Sequence, residues 1–105
     1  MLVDGFRDRV KELTGGRGVD IVLDVVGGDL FTDSLRCLAE QGRVLVVGFA
    51  AGQGIPQVKV NRLLLNNVSV VGAGWGAYVL PKPDLNREVG AAVGKMIDDG
   101  FVKPI

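Results

Sequence analysis

Gly18-Val19-Asp20-Ile21-Val22-Leu23-Asp24-Val25-Val26-Gly27-Gly28 decides how the rest of the chain is read. Its middle is almost continuously apolar and rich in branched residues. A short run of this kind, bounded by glycines, predicts a strand buried on both faces. Asp24 interrupts it just before the Gly27-Gly28 pair, and a helical pattern starts immediately afterwards. Buried strand, glycine turn and helix together form the unit that lays a ligand across the carboxyl edge of a parallel sheet. A tight turn whose glycines only relieve backbone strain has the same spelling, so the spacing leaves both readings open.

Working outward, Asp4 is placed to cap a helix that carries Phe6, Val10 and Leu13 on one stripe. Arg7, Asp8, Arg9, Lys11 and Glu12 fill its solvated face, and Gly15-Gly16 stop it. After the central strand, Asp29 is placed to cap a second helix, with Phe31, Leu35 and Leu38 at helical spacing. Cys37 in this helix reads as a small packing residue, because no base accompanies it. Gln41-Gly42 are expected to close the helix. Arg43 to Gly48 then forms a second buried strand that leads into the glycine-rich stretch Phe49 to Pro56. Val60 to Leu65 predicts a short helical turn with Asn61 as its cap, and Asn66-Asn67 turn the chain. Val68 to Gly72 is the third strand. Ala73 to Tyr78 reads as a small, flexible loop. Pro81 and Pro83 punctuate the chain, and Asp84 favours a first helical turn. Leu85, Val89, Val93 and Met96 line one face of the last helix, with Ile97 beside them. Gly90 and Gly94 sit four apart in it, a spacing that suggests close packing on a sheet.

Composition removes several function classes. The 105 residues suit one small domain with a modest core, and 48% hydrophobic with 23% charged residues is a globular balance. Twelve basic residues balance twelve acidic ones, so nothing steers the chain toward nucleic acid or an anionic membrane. No apolar run is long enough to span a bilayer, and the start does not read as a signal peptide. A single cysteine precludes an internal disulfide and points to a reducing cytoplasm. Without histidine, a serine–histidine pair or a histidine-ligated zinc within this chain is excluded.

Helices alternating with strands predict an α/β fold, a partial doubly wound parallel sheet of three strands with flanking helices. Each strand ends in glycine, at Gly27-Gly28, Gly48 and Gly72, and in such a sheet these ends share one ligand-binding edge. A G-x-G-x-x-G turn after a strand is missing: Thr14-Gly15-Gly16-Arg17-Gly18 has the wrong spacing and follows a helix. Three parallel strands also leave apolar edges bare, which proteins normally avoid.

The stretches Arg9 to Asp20, Asp24-Val25-Val26-Gly27-Gly28, Gly42 to Gly52, Leu63 to Gly72 and Trp75-Gly76-Ala77-Tyr78 resemble, in order and spacing, the medium-chain dehydrogenase/reductase superfamily. The segment at Trp75-Gly76 and the missing zinc ligands bring the resemblance nearest to the zinc-independent quinone oxidoreductases. The resemblance implies that residues 1–105 are the second half of a Rossmann-like nucleotide-binding domain, with the phosphate-binding glycines on earlier strands. It places Val26, Gly27 and Gly28 beside the cofactor after the first strand. Val47, Gly48 and Phe49 then face the nicotinamide half, and Gly72, Ala73 and Gly74 lie by its carboxamide. The implied chemistry is hydride transfer from NADPH to a quinone or an activated alkene, with no zinc and no catalytic side chain here. The chain alone is then expected to be inactive and to bind NADPH weakly or not at all. Asp24 reads as a polar group near the cofactor edge rather than a base. Tyr78, the sole phenol, is a weak acid candidate. Added bulk at Gly28 is expected to press on the cofactor more than on the fold. The resemblance also implies a homodimer through the edge strand Val68 to Val71. The alternative is a stand-alone α/β interaction module without cofactor, associating through its exposed sheet edges.

Overall fold

Branched residues from all three strand-like runs meet at Val44, which is fully buried. The computed structural model of the chain describes residues 5–105, so the expected cap at Asp4 lies outside the described residues. The chain divides into two compact units, one ending at Ala73 and the other running Gly74–Ile105.

In the first unit α1 (Phe6–Leu13) leads to β1 (Val19–Asp24), α2 (Leu30–Cys37), β2 (Leu38–Val46), α3 (Asn61–Asn66) and β3 (Ser69–Gly72). The strands form a parallel sheet in the order β1-β2-β3, with Val22 opposite Val44 and Val44 opposite Val70. Phe31 and Leu35 from α2 join Leu38, Val44 and Val68 in the core, and Val22, Val46, Val58 and Leu63 pack around them. The α/β class and the three-stranded parallel sheet are therefore as the alternation predicts.

Four local expectations change. β1 is not buried on both faces: Ile21 and Leu23 are 57% and 65% exposed, because α2 covers only the Val22 side and β1 is an edge strand. α2 ends at Cys37 rather than at Gln41-Gly42, because Leu38 turns extended and pairs with Val19. The register then slips, and Ile21 next meets Arg43. Gln41, at φ 63°, and Gly42 thus form the irregularity within β2 instead of a helix stop. Asp29 makes no side-chain cap; it is itself helical at φ −65°, ψ −28°. Asn61 likewise opens α3 instead of capping it.

In the second unit the stretch expected as a loop holds the short helix α4 (Trp75–Val79), with Tyr78 N–H bonded to the Gly74 carbonyl at 3.1 Å. α5 (Pro83–Asp98) follows, with proline in its first turn as expected. Within this unit an added Cβ at Gly90 or Gly94 meets open space. No helix among the described residues is long and apolar enough to cross a membrane.

Candidate functional site

The carboxyl ends of β1 and β2 are fastened to each other by a hydrogen-bonded ladder that continues past the sheet. The Asp24 carbonyl accepts the Val47 N–H at 2.8 Å and the Gly48 N–H at 3.4 Å. Val25 accepts from Ala50 at 3.1 Å, and Val26 accepts from Ala51 at 3.0 Å. The Asp29 N–H donates to Gln53 Oε1 at 2.9 Å, which draws the far end of the second loop onto the start of α2.

Asp24 organises this junction. It is 5% exposed, and its Oδ1 accepts the N–H groups of Val26 at 2.9 Å and Gly27 at 2.8 Å. This is an Asx-type turn, in which a carboxylate replaces the lost ladder partners of the backbone. Its Oδ2 is buried without a hydrogen-bond partner among the described residues. Asp24 therefore acts on the loop that leaves β1, a role more specific than that of a polar group at the edge.

Gly27 and Gly28 are both buried and left-handed, at φ 67° and 58°. A Cβ on Gly27 would stand 2.8 Å from Phe49 Cδ1. One on Gly28 would run into Gln53 Oε1 and stand 3.1 Å from the Ala51 Cβ. The space at Gly28 is thus filled by this chain's own second loop. Bulk there strains the fold first, contrary to the expectation that it presses mainly on a cofactor.

Val26, Gly27 and Gly28 are in this way brought against Val47, Gly48 and Phe49. Gly72 and Ala73 join from the third strand, where Ala73 N–H donates to the Val46 carbonyl at 2.9 Å. Gly74 belongs to the second unit, where it precedes α4. Val47 and Phe49 are 39% and 45% exposed, and an added Cβ at Gly72 meets open space. The edge offers apolar side chains and bare backbone on this side, a surface that a flat apolar group could approach closely. Gln53 carried no local signal in the sequence. Asp24 did: an aspartate two and three residues before the amides of a glycine turn.

Two other reactive side chains have surroundings of their own. Cys37 is 1% exposed, and burial pushes its thiol above the usual range, as expected of a packing residue. Tyr78 lies in α4, 57% exposed, with Lys82 Nζ 3.2 Å from its ring centroid. Among the described residues no group of three or more His, Cys, Asp or Glu is gathered to hold a metal ion.

Comparison with known proteins agrees with this architecture. Residues 3–92 match the zinc-binding dehydrogenase family. A quinone oxidoreductase-like protein 2 homolog from Nematostella vectensis is 46% identical over 85 residues, covering 81% of this chain and 23% of that protein. The quinone oxidoreductase-like protein 2 of Bos taurus is 42% identical over 99 residues, covering 93% of this chain and 28% of that protein. The chain thus spans about a quarter of the length of these curated relatives. A mycobacterial protein solved in complex with NADPH superposes with a TM-score of 0.79 at 30% identity, over 95% of this chain and 31% of that one. The chain belongs to the zinc-binding dehydrogenase family, and within the medium-chain dehydrogenase/reductase superfamily it is quinone oxidoreductase-like.

Proposed function

We propose that this chain supplies the nicotinamide-side wall of an NADPH site in an oxidoreductase that reduces a quinone or an activated alkene. The observation that carries the reading is the carboxyl edge itself, where Val47, Phe49 and Gly72 present apolar surface and bare backbone beside two loops joined through the main-chain carbonyls of Asp24, Val25 and Val26. The quinone oxidoreductase-like relatives and the NADPH complex of a structural neighbour support it. NADPH, when bound, supplies the hydride. Val47 and Phe49 exclude water from one face of the ring, and Gly72 lets a planar group approach the main chain. Asp24 keeps the Val26-Gly27 turn from rearranging and is committed to that task rather than to proton transfer.

The test is a chimera in which this chain replaces the corresponding segment of a quinone oxidoreductase-like relative. NADPH-dependent reduction of a quinone or an activated alkene is the expected result. A folded chimera that binds no NADPH overturns the reading. The isolated chain is expected to bind NADPH weakly or undetectably, because the helix N-terminus that seats the pyrophosphate follows a glycine turn absent from this sequence. Tight, stoichiometric binding by calorimetry is the contrary result.

A second proposal concerns assembly. β3 is an edge strand with Val70 and Val71 at 36% and 41% exposure, and β1 is an edge with Ile21 and Leu23 exposed. Pairing of Val68 to Val71 with its copy buries one edge in a closed two-fold dimer, the form in which a stand-alone interaction module would also associate. Sedimentation is expected to show a dimer that Val70→Pro weakens by removing a ladder donor. A monodisperse monomer at high concentration contradicts it.

A further inference from the structure

Two cavities of about 200 and 50 Å³ share Leu35 and Arg62 as lining residues, and neither belongs to the edge described above. The larger is lined by Thr32, Leu35, Gln57, Val58, Lys59 and Arg62. The smaller adds Arg36, Asn66 and Val68. No carboxylate lines either one. Arg36 is already paired with Asp33 at 3.3 Å, whereas neither Lys59 nor Arg62 makes an ion pair among the described residues. In a chain whose charges balance overall, this groove is a local excess of cations.

The groove is also built in. Lys59 and Arg62 sit three apart on the turn that opens α3, where Arg62 N–H bonds to the Lys59 carbonyl at 2.9 Å. Val58 and Leu63 pack on the core on either side of that turn, and Leu35 fixes the opposite wall on α2. Four side chains of the larger cavity, Thr32, Gln57, Lys59 and Arg62, carry donors. A guanidinium, an ammonium and a hydroxyl lining one cavity are donor types that phosphate oxygens accept from. A cavity of about 200 Å³ is several times a water's share of volume and smaller than a pocket for a drug-sized organic ligand.

We propose that this groove binds a phosphate-type dianion, either inorganic phosphate or the headgroup of a phosphate monoester, through Arg62, Lys59 and Thr32. The assignment is independent of the cofactor reading, since it shares no residue with the edge that carries that reading.

The test titrates the full chain with inorganic phosphate at constant ionic strength, followed by amide chemical shifts. Saturating shifts at Thr32, Leu35, Val58, Lys59 and Arg62 are expected. Arg62→Gln should weaken binding tenfold or more, on the order of one charge-assisted contact. Lys59→Gln, at an exposed position, should weaken it several-fold, and Arg87→Gln in α5 should leave it unchanged. Parallel titrations with glycerol phosphate and with succinate separate free phosphate, monoester and dicarboxylate. Shifts that grow linearly without saturating, that persist in the folded Arg62→Gln variant, or that succinate alone produces overturn the proposal.

Discussion

β1 and β3 are the two edges of one parallel sheet, yet their glycines answer to different constraints. β1 is flanked by Gly18, Gly27 and Gly28, all left-handed and all buried. β3 ends in Gly72, which is exposed and faces open space. Glycine around β1 is demanded by the fold, through backbone angle and close approach. At Gly72 an added Cβ meets open space and the backbone is not left-handed, so the fold itself does not require glycine there. Glycine is therefore a structural requirement around β1, while at the end of β3 it is open to a test of the proposed cofactor contact.

The largest effect expected from this contrast is at Gly18. Its φ is 92°, and an added Cβ would collide with the Cys37 carbonyl while standing 2.8 Å from Leu38 C and 2.9 Å from Ala39 N. These are main-chain atoms at the point where α2 becomes β2, and they cannot swing aside. Gly18→Ala should cost about 3 kcal/mol or more, the sum of a left-handed alanine and an overpacked backbone contact. Urea denaturation checks this; a loss below about 1 kcal/mol would mean that β1 and β2 separate easily at this end.

Gly28→Val should come next. The left-handed angle penalises a branched residue, but the clash falls on Gln53, whose side chain can move at the expense of its bond from Asp29. A loss of about 2–3 kcal/mol is expected. In the chimera, activity should then fall together with stability, and a Gln53→Ala background should recover part of the stability by opening the space. No recovery would show that backbone strain alone sets the cost.

Asp24 ranks third. Asp24→Ala leaves the buried Gly27 N–H and the half-buried Val26 N–H without their acceptor, for about 2 kcal/mol. Asp24→Asn keeps an oxygen acceptor and should lose about half as much. Equal losses for the two variants, measured by denaturation, would mean that the negative charge rather than acceptance holds the turn.

The parts of this fold that were legible in the sequence are those set by local pattern. The branched runs at Val22, Val44 and Val70 announced three parallel strands, and Phe31 and Leu35 announced the helix that covers them. What escaped depends on partners far along the chain. α2 stops four residues before Gln41-Gly42 because Gly18 admits the backbone of Leu38 to pair with Val19, a contact no local periodicity encodes. α4 hid in Gly74-Trp75-Gly76-Ala77, where glycine content suggested a loop although the carbonyls of Gly74 and Gly76 close helical bonds. At the candidate edge, Gly27-Gly28 and Asp24 were visible as a turn, whereas Gln53, which reaches across 24 residues, was not.

The smallest expected effect is the most informative about function. Gly72 has no left-handed angle and no atom within 4 Å of an added Cβ. Gly72→Ala should therefore change the stability of the isolated chain by no more than about 0.5 kcal/mol, and toward greater stability, because alanine restricts the unfolded chain. Within the chimera the same methyl group stands where a planar group is proposed to meet the main chain, so KM for NADPH should rise several-fold without a change in the denaturation midpoint. Gly72→Val should raise it further while leaving the fold intact, since a branched residue suits a strand. If both variants fold normally and KM stays put, Gly72 is simply a strand end and the nicotinamide wall lies elsewhere. If instead either variant unfolds the chain, β3 is as constrained as β1, and the contrast between the two edges is lost.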